Sequence, residues 1–173
     1  SMRAWFTTNH DENSWNGTEF EKYGDITKPM AVFSATWNGI PLLYSGQELP
    51  NLKRLEFFEK DVIAWNGKYE MADFYKILLN LKSSNPALRA GDSKVSTYLL
   101  HTTANDKILA KKKKNGKDEV LVVLNFSKEP VNFTIQDENL NGTFNNVFSK
   151  TKRDFKEGKD FRFKISGFAV VKR

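Results

Sequence analysis

Asn9, His10, Asp11 and Glu12 place an amide, an imidazole and two carboxylates in consecutive positions, directly after an apolar, β-prone run that begins at Trp5. A polar constellation just past a buried strand reads as chemistry or substrate contact, because the strands of a (β/α)8 barrel end at its catalytic face. His10 and Asp11 are also metal-ligand types. The only other histidine, His101, is far away in sequence, so no metal site is expected.

The elements that would position this cluster follow from local signals. Thr27 is a plausible N-cap, Pro29 starts a helix over Met30–Trp37, and Asn38-Gly39 ends it. A short buried strand, Pro41–Ser45, comes next. Strand, helix and strand in that order form a βαβ unit with a parallel pair and a right-handed crossover. A second helix is predicted at about Glu70–Lys82, where Met71, Phe74, Tyr75, Leu78 and Leu79 fall at helical spacing and Asn85-Pro86 marks the exit.

From Lys94 onward helix signals vanish. Short alternating segments recur at Val95–His101, Lys107–Lys114, Glu119–Phe126, Val131–Gln136, Thr143–Phe148, Phe161–Ile165 and Phe168–Val171, the pattern of an antiparallel sandwich. Asn115-Gly116 between two of them favours a tight hairpin turn. The fold class expected is therefore α/β plus all-β, with a boundary near Pro86–Ser93 and units at about 1–90 and 91–173.

Composition bounds the rest. With 173 residues and 39% hydrophobic content the chain can bury a real core. No apolar run reaches membrane-spanning length, so no membrane partner is expected. The absence of cysteine excludes disulfides and thiolate metal sites but leaves the compartment open, with bacterial cytoplasm or periplasm as the expectation. Residues 1–106 carry a net charge of about −2 and residues 107–173 about +8, which itself suggests two units.

Two stretches carry a family resemblance. Phe6-Thr7-Thr8-Asn9-His10-Asp11 resembles the conserved stretch at the end of the seventh barrel strand of α-amylase-family glycoside hydrolases. Gly39 through Glu48 resembles the family's eighth-strand stretch, and Phe57-Phe58 through Trp65 the segment after it. Leu79–Leu88 looks like the last barrel helix, and the remainder like the family's C-terminal Greek-key sandwich, closing on Gly167–Val171. The resemblance covers nearly the whole chain and implies the last two strands and helices of a (β/α)8 barrel followed by an antiparallel Greek-key β-sandwich.

It further implies a retaining reaction on α-glucans such as starch and maltodextrin, in which one carboxylate attacks the anomeric carbon and another protonates the leaving oxygen. No segment here matches either of those motifs, so the chain is expected to be inactive alone. By the same resemblance Asp11 is the third carboxylate, a transition-state stabiliser, with His10 binding beside it. Asn9, Trp15 and Gln47 complete the expected substrate-binding set, Trp15 by stacking on a sugar. Calcium is possible in the parent enzyme, but no ligand set and no cofactor are recognised in this chain.

The run Lys111–Lys114 invites a nucleic-acid reading. Its place beside the Asn-Gly turn favours a solvated hairpin edge instead, where lysines discourage strand addition. No phosphate-cradling glycine loop and no Ser-His-Asp arrangement can be assembled. A competing reading is a non-catalytic sandwich that binds glucan or buttresses the barrel. Two barrel strands cannot close a barrel, so self-association through their exposed edges is also expected.

Overall fold

The computed structural model describes residues 2–173. Its first half holds two short parallel strands, β1 (Ala4–Trp5) and β2 (Ile40–Pro41), paired Ala4 to Ile40 and Trp5 to Pro41. Between them run α1 (His10–Trp15), α2 (Glu19–Tyr23) and α3 (Thr27–Thr36), and α4 (Ala72–Ser84) follows β2. The βαβ unit is present with much shorter strands than the apolar runs suggested. Helix α1 begins only five residues after β1 ends, because Asn9 caps it.

Thr27 is not a cap: it is the first residue of α3, and its hydroxyl donates to the Gly24 carbonyl at 2.7 Å. At the other end Gly39 has φ +144° and lies so close to the Arg3 carbonyl that a Cβ would meet it at 2.3 Å. Only glycine lets the chain leave α3 and enter β2 against β1.

The second half contains β3 (Ser96–Leu100), β4 (Ile108–Asn115), β5 (Asp118–Asn125), β6 (Val131–Thr134), β7 (Thr143–Asn146), β8 (Lys152–Asp154), β9 (Asp160–Phe163) and β10 (Phe168–Lys172). Six form an antiparallel sheet in the order β3-β4-β5-β10-β7-β8, and β6 pairs with β9 as a second, smaller sheet. The last strand returns to lie between β5 and β7. All seven strands expected from the alternation are present; β8, with its charged sequence, was not foreseen. In the β4–β5 hairpin Asn115 pairs with Asp118, so the turn residues are Gly116 and Lys117, with positive φ at Gly116 alone.

Residues Val120–Leu124 of β5 are fully buried. Val120, Val122 and Leu124 pack with Val32, Phe74, Leu78 and Leu88 from the first half, whereas Leu121 and Val123 pack with Phe133 and Phe161 of the small sheet. Burial on both faces explains a continuous apolar run in an antiparallel strand. One hydrophobic core thus takes residues from either side of the sequence boundary.

The lysine run is the main departure from expectation. It lies on β4, which is paired on both sides, by β3 and by β5, and is not a sheet edge. Lys111, Lys112 and Lys113 are buried and only Lys114 is exposed. Strand alternation sends Lys111 and Lys113, paired with Val122 and Val120, toward the helices, and Lys112 and Lys114 to the opposite face. Lys111 Nζ has no hydrogen-bond partner among the described residues and sits 4.3 Å from the centre of the Trp37 ring. Lys113 donates to Asn38 Oδ1. Lysines spent inside the fold cannot recruit phosphate, so the nucleic-acid reading loses its footing.

Candidate active site

The parallel pair directs both of its C-terminal ends to one place, where Gln47 Nε2 reaches Thr7 Oγ1 at 2.9 Å. There β1 gives way to α1. Asn9 is in extended backbone, and its Oδ1 accepts from the Glu12 amide at 2.8 Å, closing the first turn. The cap leaves His10 and Asp11 in that turn with their side chains 72% and 57% exposed and His10 Nε2 3.4 Å from Asp11 Oδ1. The imidazole and carboxylate stand open to solvent at the mouth of the pair. Helix α1 is too short for its dipole to be argued from.

Trp15, at the other end of α1, is exposed as well. Its ring is 5.1 Å from Phe57 and 5.9 Å from Phe58, and all three are exposed. The loop carrying those phenylalanines is pinned by Asn13, which accepts from the Leu55 amide at 2.8 Å and donates to the Lys53 carbonyl at 3.2 Å. Arg54 pairs with Glu21 at 3.0 Å and holds that carboxyl down at about 2. Asp61 accepts from Lys53 and from the Val62 and Glu56 amides, which lowers it to about 2.

Gln47 is placed differently from the other expected contacts. It is only 4% exposed, its Oε1 accepts from the Tyr44 amide at 2.7 Å, and its Nε2 lies within reach of Thr7, Glu19 and Tyr75. Its buried side chain ties the two strand ends together. The centre of that network is Glu19, whose Oε2 accepts from Thr7 at 2.7 Å. Burial pushes the Glu19 carboxyl up, against the hydrogen bonds from Thr7 and Gln47. Burial, and then the Glu19 charge, push the Tyr75 hydroxyl up as well. Glu48 Oε2 accepts from the Gly46 amide at 3.1 Å, closing the turn after β2.

Asn9, His10, Asp11 and Trp15 therefore all belong to α1 or its cap, with His10, Asp11 and Trp15 exposed, whereas Gln47 is buried. Sequence reasoning missed Glu19, although Thr18-x-x-Glu21 was legible as a capping box that starts α2 and carries Glu19 inward. Both halves of that box form: Glu21 N donates to Thr18 Oγ1, and Thr18 N to Glu21 Oε2. No group of three His, Asp or Glu side chains is close enough to hold a metal ion among the described residues. No helix among them is long and apolar enough to cross a membrane.

An antiparallel sandwich joined to a short parallel pair and its helices defines the class: a chain built on the C-terminal β-domain of an α-amylase-type fold. In sequence and in fold the chain matches the C-terminal part of α-amylase-family enzymes. It is 26% identical over 159 residues to alpha-amylase 2 of Dictyoglomus thermophilum, covering 85% of this chain and 26% of that protein. It is 30% identical over 128 residues to alpha-amylase MalA of Haloarcula japonica, covering 72% of this chain and 18% of that protein. No family model matches.

Among solved structures, an alpha-amylase from Lactobacillus plantarum superposes with a TM-score of 0.74 at 16% identity, over 99% of this chain and 38% of that one. The acarbose complex of the Geobacillus thermoleovorans alpha-amylase gives 0.74 at 17% identity, over 99% of this chain and 38% of that one. The chain thus spans about a quarter or less of the length of these curated relatives.

Proposed function

We propose that the chain is the substrate-binding C-terminal part of a retaining α-glucan hydrolase, with Asp11 as the transition-state stabiliser. The observation that carries this reading is the exposure of His10 and Asp11 together, just past the C-terminal end of β1 where it pairs with β2, on the helix that also carries the exposed Trp15. Asp11 would accept hydroxyl protons of the sugar at the cleaved bond, and such contacts strengthen as the ring flattens toward an oxocarbenium ion. His10 would donate beside it, and Trp15 would stack on a neighbouring sugar. Asn9 contributes through the α1 cap and its free amide. Gln47, Thr7 and Glu19 act from below by fixing the two strand ends.

The nucleophile and the acid/base belong, in this reading, to the remainder of the barrel. Phe6, Ile40, Leu42 and Leu43 are exposed around the parallel pair and would be covered there. The chain alone is expected to release no reducing sugar from maltodextrin while binding maltoheptaose at this face. Calorimetric titration checks the binding: Trp15→Ala and Asp11→Ala should each weaken it. Catalytic turnover by a contaminant-free preparation that survives Asp11→Ala would overturn the reading.

A further inference from the structure

The six-stranded sheet ends in two edge strands that are built differently. At one edge, β8 is short and consists of Lys152, Arg153 and Asp154, charges that discourage a neighbouring strand. At the other, β3 reads Ser96-Thr97-Tyr98-Leu99-Leu100, with no charge and no proline. Tyr98 is 47% and Leu99 64% exposed. The lysines that could have guarded this edge lie one strand further in, on β4.

Register identifies the backbone groups that β3 leaves unpaired. Glu119 exchanges both of its backbone bonds with Arg173, at 3.0 and 3.1 Å, on the side of β5 away from β4. Alternation then assigns the β4–β5 bonds to Val120 and Val122 with their partners Lys113 and Lys111. Lys112 and Lys114 therefore bond to β3, through Tyr98 and Ser96. Thr97 and Leu99 are left with N–H and C=O directed out of the sheet. His101 continues that series, but its carbonyl accepts from the Gln136 amide at 2.8 Å, so the free stretch ends there. On the Lys112 face the strand borders an open cleft of about 630 Å³, which leaves the Tyr98 ring free to meet another.

We propose that β3 is a self-association edge at which two copies of the chain pair β3 to β3, antiparallel around a two-fold axis at Tyr98. In this register Thr97 exchanges both backbone bonds with the partner's Leu99, and Leu99 with the partner's Thr97. Tyr98 meets the partner's Tyr98 at a non-hydrogen-bonded position, where facing side chains lie closest and an aromatic pair is favourable. A second copy fits because the edge is its own complement. No like charges oppose one another along Ser96–Leu100, and the nearest charge, Lys94, falls opposite the partner's Thr102. An acidic or basic peptide finds no counter-charge there. An isologous pair of this kind closes on itself, so association stops at the dimer. The strand is only 5 residues long, so the interface is small and dissociation at about 10–100 μM is expected.

Sedimentation velocity of the full chain over about 1–300 μM tests this, with melting curves confirming that each variant folds. The dimer fraction should rise with concentration. Leu99→Pro removes an outward N–H while sparing the β3–β4 ladder, and Tyr98→Lys sets like charges opposite each other. Each should weaken dimerisation by about tenfold or more. Hydrogen exchange adds a readout specific to the register: the Thr97 and Leu99 amides should be protected only at dimer concentrations, and the Tyr98 amide at all of them. A chain that stays monomeric throughout, forms species larger than a dimer, or dimerises equally in both variants would overturn the inference. Dimers lost only on Leu43→Lys would overturn it too, since the contact would then lie at the β1–β2 pair.

Discussion

Glu19 in the first half of the molecule and Lys111 in the second are both buried ionisable groups, and they are accommodated by opposite means. Glu19, beneath the parallel pair, is surrounded by donors: Thr7 at 2.7 Å and Gln47 at 2.8 Å on Oε2. Lys111, beneath the helices on the sandwich sheet, has no acceptor and rests on the faces of Trp37 and Phe33, 4.3 and 5.3 Å from their ring centres. A polar network fixes geometry at the strand ends that present the candidate site. The aromatic cover over Lys111 only softens the loss of water, since an ammonium over rings recovers part of its solvation. Glu19 thus has one oxygen held by two donors while its Oε1 has no partner among the described residues, and Lys111 has no hydrogen-bond partner at all.

The strongest way to break the comparison is to show that the halves do not stand or fall together. Leu78, fully buried on α4, packs in the core that also contains Val122 and Val170. Leu78→Ala should cost about 2–5 kcal/mol, lost transfer energy plus a cavity. All four tryptophans lie in the first half, whereas most strands lie in the second. Denaturation followed by tryptophan fluorescence and by far-UV circular dichroism should shift as one transition. Separated midpoints would refute the shared core as a cooperative unit.

The two buried charges give opposite pH slopes. Burial, then repulsion from Lys113 and Lys82, lowers Lys111 from 10.5 to about 6. Between those values the unfolded chain binds the proton and the folded one does not, so stability rises with pH from about 6 toward 10.5, and the penalty is complete below 6. Lys111→Met should therefore stabilise, by about 1–4 kcal/mol, most at acid and neutral pH and least above pH 10. Urea midpoints across that range measure it; a pH-independent gain would show that packing, not charge, is responsible.

Glu19 runs the other way. Its folded value is raised above 4.5 by burial, so the folded state holds the proton longer and stability falls as pH climbs from the unfolded value through the folded one. Glu19→Gln should flatten that decline, so that the variant gains on wild type as pH rises above 4.5. The change should be smaller than for Lys111→Met, because Glu19 keeps two donors and Lys111 has no partner. Titration of the wild-type stability curve with no fall above pH 4.5 would contradict the assignment.

The parts of this arrangement that were legible in the sequence are those written in periodicity. The helical spacing of Phe74, Tyr75 and Leu78 gave α4 to within two residues, and the recurring segments after Lys94 marked β5, though not its burial on both faces. The paired motifs at Phe6–Asp11 and Gly39–Glu48 marked the neighbourhood of the parallel pair, but β1 and β2 end earlier, at Trp5 and Pro41. What failed to show depends on partners distant in sequence. Charge alone could not tell that β3 would cover β4 and push Lys111–Lys113 inside, because a lysine's position in a sheet is set by its neighbour strand. Gln47 looked like a substrate ligand because it follows a strand, but Tyr75 and Glu19, each 28 residues away, claim its amide.

The smallest effect concerns a signal that was local and still went unread. Thr18 and Glu21 satisfy each other's backbone amides at the start of α2, with Glu21 N donating to Thr18 Oγ1 at 3.2 Å and Thr18 N to Glu21 Oε2 at 2.8 Å. Thr18→Ala removes one acceptor from a buried helix start and should cost about 1 kcal/mol. Helix α2 carries Glu19 beneath the strand ends, so fraying there should reach Gln47 and the candidate site, whereas Lys111 lies on another face of the core. The variant should therefore lower the thermal midpoint by a few degrees and weaken Trp15-dependent maltoheptaose binding. A lowered midpoint with unchanged binding would show that the strand ends keep their geometry without the α2 cap.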